Sequence, residues 1–322
     1  MIADEVHHLG AQEFSKIFNI ESSRRLGLSA TYRRDWDEPG TSAILGYFGR
    51  ALEEAAYLIA DAIKDKRLCK YRYIPYFAYL NKEEFEEYVK LSLEIKKQFG
   101  ILGIGENSLN LPVLPKKLEH LLRERAKILK KCGYKIRVFC DIISARPKPP
   151  YVVFADDNVQ ANQLEAAHRE KVRQINKLSS PLLKEDIMIF SGILDDWQRD
   201  KIIREAKVRR IPLIAMYCLD EGIDIPELNS AVIVSSSTSK RQYIQRRGRI
   251  LRLGNKNKVA ELYDILVFGR PDNDPVRNDI SKDIITKERE RLEELAFDSD
   301  NKYQAICRLE IEVEKAGFSY IL

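Results

Sequence analysis

The sequence predicts an α/β protein built on a parallel sheet, and three observations carry that prediction. From Lys116 to about Phe268, short runs that read as buried strands alternate with helical patterns, an order that implies right-handed crossovers between parallel strands. At the N-terminus, Met1 to Ala3 reads as the end of a strand that delivers Asp4 and Glu5 to its carboxyl edge, where open parallel sheets gather their ligands. Farther on, four arginines in seven residues (Arg246, Arg247, Arg249 and Arg252) follow a strand. Arginine keeps its charge at any working pH, and its planar fork matches phosphate oxygens, so the cluster suggests a triphosphate or a nucleic-acid backbone.

Taken in chain order, a helix over about Gln12 to Phe18 and a strand over Arg25 to Ser29 follow the first strand. Two strands alone would expose a long apolar edge, so partner strands are expected. Residues 36 to 110 read as a mainly helical connector. Within it, Ser42 to Lys66 holds an amphipathic run with Leu52, Ala55, Ala56, Ile59 and Ile63 on one face. Leu68 to Leu80 is rich in aromatics and reads as a strand interrupted by Pro75, with Tyr71 and Tyr73 placed either to stack bases or to pack in a core. Asn81 is the expected N-cap of a helix whose first turn carries Glu83 and Glu84. That helix repeats Phe85, Tyr88, Val89, Ile95 and Phe99 and stops at Gly100.

Ile101 to Pro115, with Gly103, Gly105 and Pro112, is the expected hinge. A second α/β domain follows over residues 111 to 275. Its strands are expected at Tyr151 to Ala155, Ile187 to Phe190, Pro212 to Met216, Ala231 to Val234 and Val259 to Ile265, with helices such as Asp195 to Lys207 and Lys240 to Arg247 between them. Lys135 to Ile143 is strand-like by propensity alone. Residues 276 to 322 read as a tail of two charged helices.

Composition sets the bounds. Of 322 residues, 44% are hydrophobic and 32% charged, enough for ordinary cores, and no apolar run reaches membrane-spanning length. Asp4 and Glu5 interrupt any signal-peptide pattern at once. Five scattered cysteines without C-x-x-C pairs argue against a zinc or disulfide framework and make a reducing cytoplasm the expected setting. A net charge of +5 permits nucleic-acid binding without requiring it.

Four short motifs stand in a fixed order: Asp4-Glu5-Val6-His7, Ser29-Ala30-Thr31, Gly222-Ile223-Asp224 and Gln245-Arg246-Arg247-Gly248-Arg249-Ile250-Leu251-Arg252. Each alone is common; together the chain resembles the superfamily 2 helicases of the DEAD/DEAH-box class, in the branch of XPB-like and restriction-subunit-like motors, over roughly residues 1 to 270. The resemblance implies a RecA-like helicase fold: residues 1 to 35 as the end of a first RecA-like domain, a helical insertion, and a complete second RecA-like domain. It also makes Lys135 to Ile143 a helix.

The resemblance implies roles as well. Asp4 would hold Mg²⁺ through water, Glu5 would be the catalytic base, and His7 would couple the site to the second domain or to the Ser29-Ala30-Thr31 box. Gly222 and Asp224 would approach the nucleotide together with Gln245, and Arg249 and Arg252 would act as arginine fingers on the γ-phosphate of ATP. Such motors also need a G-x-x-x-x-G-K-[ST] phosphate cradle, and this sequence holds no Gly-Lys dipeptide. The expected function is therefore an ATP-dependent helicase or translocase, on DNA rather than RNA, that needs a segment carrying the cradle, in this polypeptide or a partner. The alternative is a non-catalytic nucleic-acid-binding or assembly subunit derived from a helicase. Nucleic-acid contacts are expected near Asp157 and Asn158 and along Ser235 to Ser239. The nine lysines and arginines between Lys116 and Arg137 are read either as a further contact or as a solvated helix face.

Overall fold

The computed structural model describes residues 1–11, 13–29, 31–34, 37–101, 115–145, 147–178, 184–216, 228–235, 248, 250–252 and 258–318. A small N-terminal unit comes first. Strand β1 (Ile2–Ala3) and strand β2 (Leu26–Gly27) lie parallel, with Ile2 opposite Leu26 and Ala3 opposite Gly27. The pairing extends past the strands, because Leu28 N–H donates to Ala3 O at 2.8 Å and Val6 N–H donates to Leu28 O at 3.0 Å. The expected helix over Gln12 to Phe18 is instead a 3₁₀ turn at Ser15–Asn19, preceded by another at Val6–Gly10. Two strands cover little, and Ile2 (74% exposed), Leu26 and Leu28 (46% each) stay in water.

Helix α1 (Glu38–Phe48) starts where the Asp37 side chain accepts the Gly40 N–H at 2.9 Å and Pro39 occupies the first turn. It ends at Gly49, whose φ of 92° is open to glycine and strained for other residues. The amphipathic run expected across Ser42 to Lys66 is broken there. Leu52 is exposed, and only a short second helix, α2 (Ile59–Lys64), turns Ile59 and Ile63 toward a core.

The main body is a six-stranded parallel sheet. In chain order its strands are β3 (Lys70–Tyr79), β4 (Tyr151–Phe154), β5 (Met188–Phe190), β6 (Leu213–Ala215), β7 (Ser230–Ile233) and β8 (Val259–Phe268), arranged β3-β8-β7-β4-β6-β5. Its helices are α3 (Lys82–Ile101), α4 (Lys116–Lys130), α5 (Tyr134–Ser144), α6 (Asn158–Leu178), α7 (Asp196–Arg209), α8 (Pro275–Ala296) and α9 (Lys302–Lys315). Successive side chains leave a strand on opposite faces, and both faces are covered. Val152, Phe154, Ala231, Ile233, Leu262 and Leu266 pack on one side with Ala206 of α7, Leu292 of α8 and Leu309 of α9. Val153, Val232 and Ile265 pack on the other with Tyr88 of α3, Phe139 of α5 and Leu164 of α6. The expected strands of the second domain appear within a few residues of their places, and Lys135 to Ile143 is helical.

The strand at Lys70–Tyr79 departs from expectation. It runs unbroken through Pro75 beside β8, as the edge strand of the main sheet. Tyr73 turns its N–H and C=O away from β8, to the side chain of Asn301 at 2.9 and 2.8 Å. Pro75 shares that parity, so its missing N–H falls on the open side, where the ladder needs none. Tyr71 and Tyr73 are fully buried, their hydroxyls donating to Leu295 O and Asp264 Oδ2 at 2.7 Å each. Their alternative as base-stacking platforms is thereby withdrawn. At α3 the expected cap is present: Asn81 Oδ1 accepts the Glu84 N–H at 2.8 Å while Glu84 Oε2 accepts the Asn81 N–H at 2.9 Å. Of the expected hinge, residues 102–114 lie outside the described residues.

One buried charge network ties α8 to β8. Arg291 of α8 meets Asp264 of β8 through Nη2 at 3.0 Å and Nε at 3.2 Å, and meets Glu288 at 3.0 Å. Burial pushes the Glu288 carboxyl up from its ordinary range, and burial followed by the nearby Arg291 charge pushes the Lys135 ammonium down to about 8.

Candidate functional site

Asp4 and Glu5 leave β1 at its carboxyl end, and Ser29 leaves β2 at the same end, because the two strands are parallel and in register. The chain turns sharply after Asp4. Glu5 adopts the left-handed conformation (φ 48°, ψ 46°), held by its N–H donating to Asp4 Oδ1 at 2.9 Å. A non-glycine residue in that region costs on the order of 1–3 kcal/mol, which the surrounding fold must offset. The turn carries His7 into the interior, where it is fully buried.

The partners of His7 fix its proton. Ser29 Oγ–H donates to Thr31 O at 2.8 Å, which uses the only proton the hydroxyl has. Ser29 Oγ therefore acts as acceptor, from Thr31 N–H at 3.3 Å and from His7 Nδ1 at 2.9 Å. His7 is thus protonated on Nδ1, with the Glu5 carboxylate 3.2 Å from the same nitrogen. The backbone of this turn is held from outside by Arg34. Its guanidinium donates to His7 O and, through Nε, to Asp37 Oδ2 at 2.6 Å. Burial alone would raise the Asp37 carboxyl, but the Gly40 N–H and the Arg34 guanidinium outweigh it and hold that carboxyl below its usual range. Sequence reading missed Arg34 because its key partner is a backbone carbonyl, which leaves no mark in residue types.

The structure therefore brings Asp4, Glu5, His7, Ser29 and Thr31 into one cluster. Of the two neighbours expected for His7, the Ser29 box is in hydrogen-bond contact with it. Ala30, Gly222, Asp224, Gln245 and Arg249 lie outside the described residues, as do Ser236 to Ser239 and the helix expected at Lys240 to Arg247. Arg252 is described. It is exposed, and its backbone forms an antiparallel bridge with Leu68.

At the carboxyl edge of the main sheet, β4 and β7 end in Asp156-Asp157-Asn158 and Ser235. Here the Lys130 carbonyl of the α4–α5 turn receives the Gln160 amide at 2.9 Å and lies 2.7 Å from Ser235 Oγ. Gln160 Oε1 in turn accepts the Asp156 N–H at 2.9 Å. Lys130 pairs with Asp156 at 2.9 Å, Lys131 pairs with Asp157 at 2.5 Å, and the buried Lys135 donates to Val234 O at 2.7 Å. The basic stretch along α4 is largely neutralised in the same way. Lys117, Arg123 and Lys127 pair with Glu94, Glu119 and Glu124, so these charges read as a solvated face. Among the described residues, no group of three histidines, cysteines or carboxylates stands together as a metal cage, and no helix is long and apolar enough to cross a membrane.

Comparison with known proteins adds to this geometry. Residues 134–254 match the helicase conserved C-terminal domain. The chain is similar to the DNA 3'-5' translocase XPB2 of Sulfurisphaera tokodaii, 27% identical over 289 residues, covering 84% of this chain and 59% of the relative. It is similar to the putative helicase 22 of a Sulfolobus islandicus filamentous virus, 24% identical over 277 residues, covering 83% of this chain and 42% of the relative. Among solved structures it is similar to the Pyrococcus furiosus Hef helicase domain, at 16% identity and a TM-score of 0.42, with 83% of this chain and 70% of that one covered. The chain spans 59% or less of the length of these curated relatives.

Proposed function

We propose that this chain, a superfamily 2 helicase relative of the XPB-like branch that carries a helicase conserved C-terminal domain, forms part of an ATP-driven motor that moves along or unwinds DNA. The observation that carries the reading is the hydrogen bond from His7 to Ser29, which joins the two N-terminal motifs at the carboxyl edge of one parallel strand pair. In this reading residues 1 to 35 belong to a first RecA-like domain. The connector of residues 36 to 110 lends its strand and helix, residues 70 to 101, to the second.

The residues present fit the magnesium side of a nucleotide site. Asp4 is an exposed, hard-oxygen ligand with one carboxylate oxygen committed to the Glu5 N–H, which suits a cation held through water. Bound Mg²⁺ would neutralise charge on the ATP phosphates. Glu5 would take the proton of the attacking water, its carboxylate set by the strained turn and lying 3.2 Å from His7 Nδ1. His7 would transmit movement of that turn to the end of β2 through Ser29. Gly222, Asp224 and Gln245 would meet the nucleotide, and Arg249 and Arg252 would stabilise the charge that develops on the transferred phosphoryl group. The phosphate cradle would come from a segment with G-x-x-x-x-G-K-[ST], which these 322 residues do not contain.

The test is reconstitution. The chain alone is expected to hydrolyse ATP weakly or not at all, and mixing it with a polypeptide bearing the cradle is expected to produce DNA-stimulated hydrolysis that Arg249→Ala abolishes. Robust hydrolysis by this chain alone would overturn the need for a second segment. Failure of every mixture, with DNA binding retained, would leave the chain as a non-catalytic nucleic-acid-binding subunit.

A further inference from the structure

At the end of the arginine block, Ile250, Leu251 and Arg252 present three successive carbonyls, and all three are taken. Lys258 Nζ donates to Ile250 O at 3.0 Å and to Arg252 O at 3.2 Å. Between them, the Cys69 N–H donates to Leu251 O at 2.8 Å. Gly248 and Ile250 are helical and Leu251 begins a turn, so these carbonyls lie at the C-terminal end of a helix. Such carbonyls have lost their intrahelical donors and carry partial negative charge, which a cation complements.

The two halves of this clamp stand side by side in the fold. Lys258 immediately precedes Val259, the first residue of β8, and Cys69 immediately precedes Lys70, the first residue of β3. Val259 and Lys70 are register partners in the sheet. Lys258 is half-buried and Cys69 fully so, and the side chains of Ile250 and Leu251 are buried in the same core. Burial lowers the Lys258 ammonium from its ordinary value, so its charge is held among carbonyl oxygens at some cost. A lysine kept only for solubility would not give up water to reach two carbonyls that flank a third, already bonded one.

We infer that Lys258 is a positioning residue for Arg252, clamping the end of the arginine block to the start of the paired strands β3 and β8. This role rests on the arginine assignment made above, whereas the clamp itself does not. Because Leu68 pairs with Arg252 and Cys69 with Leu251, the segment leading from the connector into β3 is fixed to the same point. A pull on the connector would therefore reach Arg252 through a few backbone hydrogen bonds.

Two measurements on the full chain test this. In hydrogen–deuterium exchange, Lys258→Met should speed exchange in the peptide covering residues 248 to 258 about tenfold, leave peptides within β3 and β8 unchanged, and be rescued by Lys258→Arg. Unchanged exchange in the Met variant, or equal acceleration throughout β3 and β8, would overturn the clamp. In the reconstituted mixture, Lys258→Met should lower kcat about tenfold at unchanged KM for ATP, with Lys258→Arg close to wild type. A change in KM alone, or none at all, would overturn the positioning role. If the wild-type mixture does not hydrolyse ATP, the motor reading and with it the positioning role fall, and exchange still decides the clamp.

Discussion

His7 donates from Nδ1 to Ser29 Oγ across 2.9 Å, inside a unit whose described residues bury few other polar side chains, Thr41 among them. Two motifs that are far apart in sequence thus share one proton-directed contact. Its direction is set because Ser29 has already given its own proton to Thr31 O.

That contact should appear as a coupling energy. His7→Ala and Ser29→Ala each remove one partner, and the double variant should cost less than the sum of the two. The expected interaction energy is about 1 kcal/mol, read from urea unfolding of the N-terminal unit in a double-mutant cycle. Additive losses would show that the two side chains are neighbours without being partners.

Arg291 should be far less tolerant. It pairs with Asp264, a fully buried carboxylate, so Arg291→Met removes that charge's ion-pair partner and leaves it the hydrogen bond from the Tyr73 hydroxyl. Breaking a buried pair from one side costs about 3–5 kcal/mol. A shift of the urea midpoint measures it, and adding Asp264→Asn to the Met variant should recover part of the loss. A surface-like effect below about 0.5 kcal/mol would contradict the burial seen here.

His168 gives a pH signature. The Tyr151 hydroxyl lies 2.7 Å from its Nε2, and burial pushes the imidazole down to about 4 from an ordinary 6.5. A depressed folded-state value means that the unfolded chain takes up the proton first as pH falls. The contribution is therefore present above pH 6.5 and is lost as pH drops through about 4. Its size is on the order of 3 kcal/mol. His168→Leu should accordingly lose less stability than wild type between pH 7 and pH 4.5 in urea unfolding. Parallel losses would place the acid sensitivity elsewhere.

Much of the main sheet was legible in sequence because strands covered on both faces read as unbroken apolar runs, such as Tyr151 to Phe154 and Ala231 to Val234. Lys135 to Ile143 shows where propensity misleads. Its β-branched and aromatic residues suit a strand, yet Val138, Phe139, Ile142 and Ile143 recur at helical spacing and face one core. Residue type was a poor guide wherever backbone groups are the partners. Nothing about Arg34, Lys135 or Lys258 announces that each bonds a carbonyl. Pro75 misled for a related reason, since the strand tolerates it only because that side of the backbone faces away from β8. At the candidate site, the carboxylates and His7 stood out through motif order. The left-handed turn at Glu5 had no sequence signal, because glycine or asparagine would be expected there.

The Asn301 side chain, set against Tyr73, has a consequence for how copies of this protein behave at high concentration. An open strand edge is a template on which another chain can polymerise. On β3 that template is filled at Tyr71 and Tyr73, by the Asp300 N–H and the Asn301 amide. Crowding should therefore not drive strand-by-strand fibre growth from this rim. The opposite rim of this sheet, β5, is only three residues long and offers little template of its own.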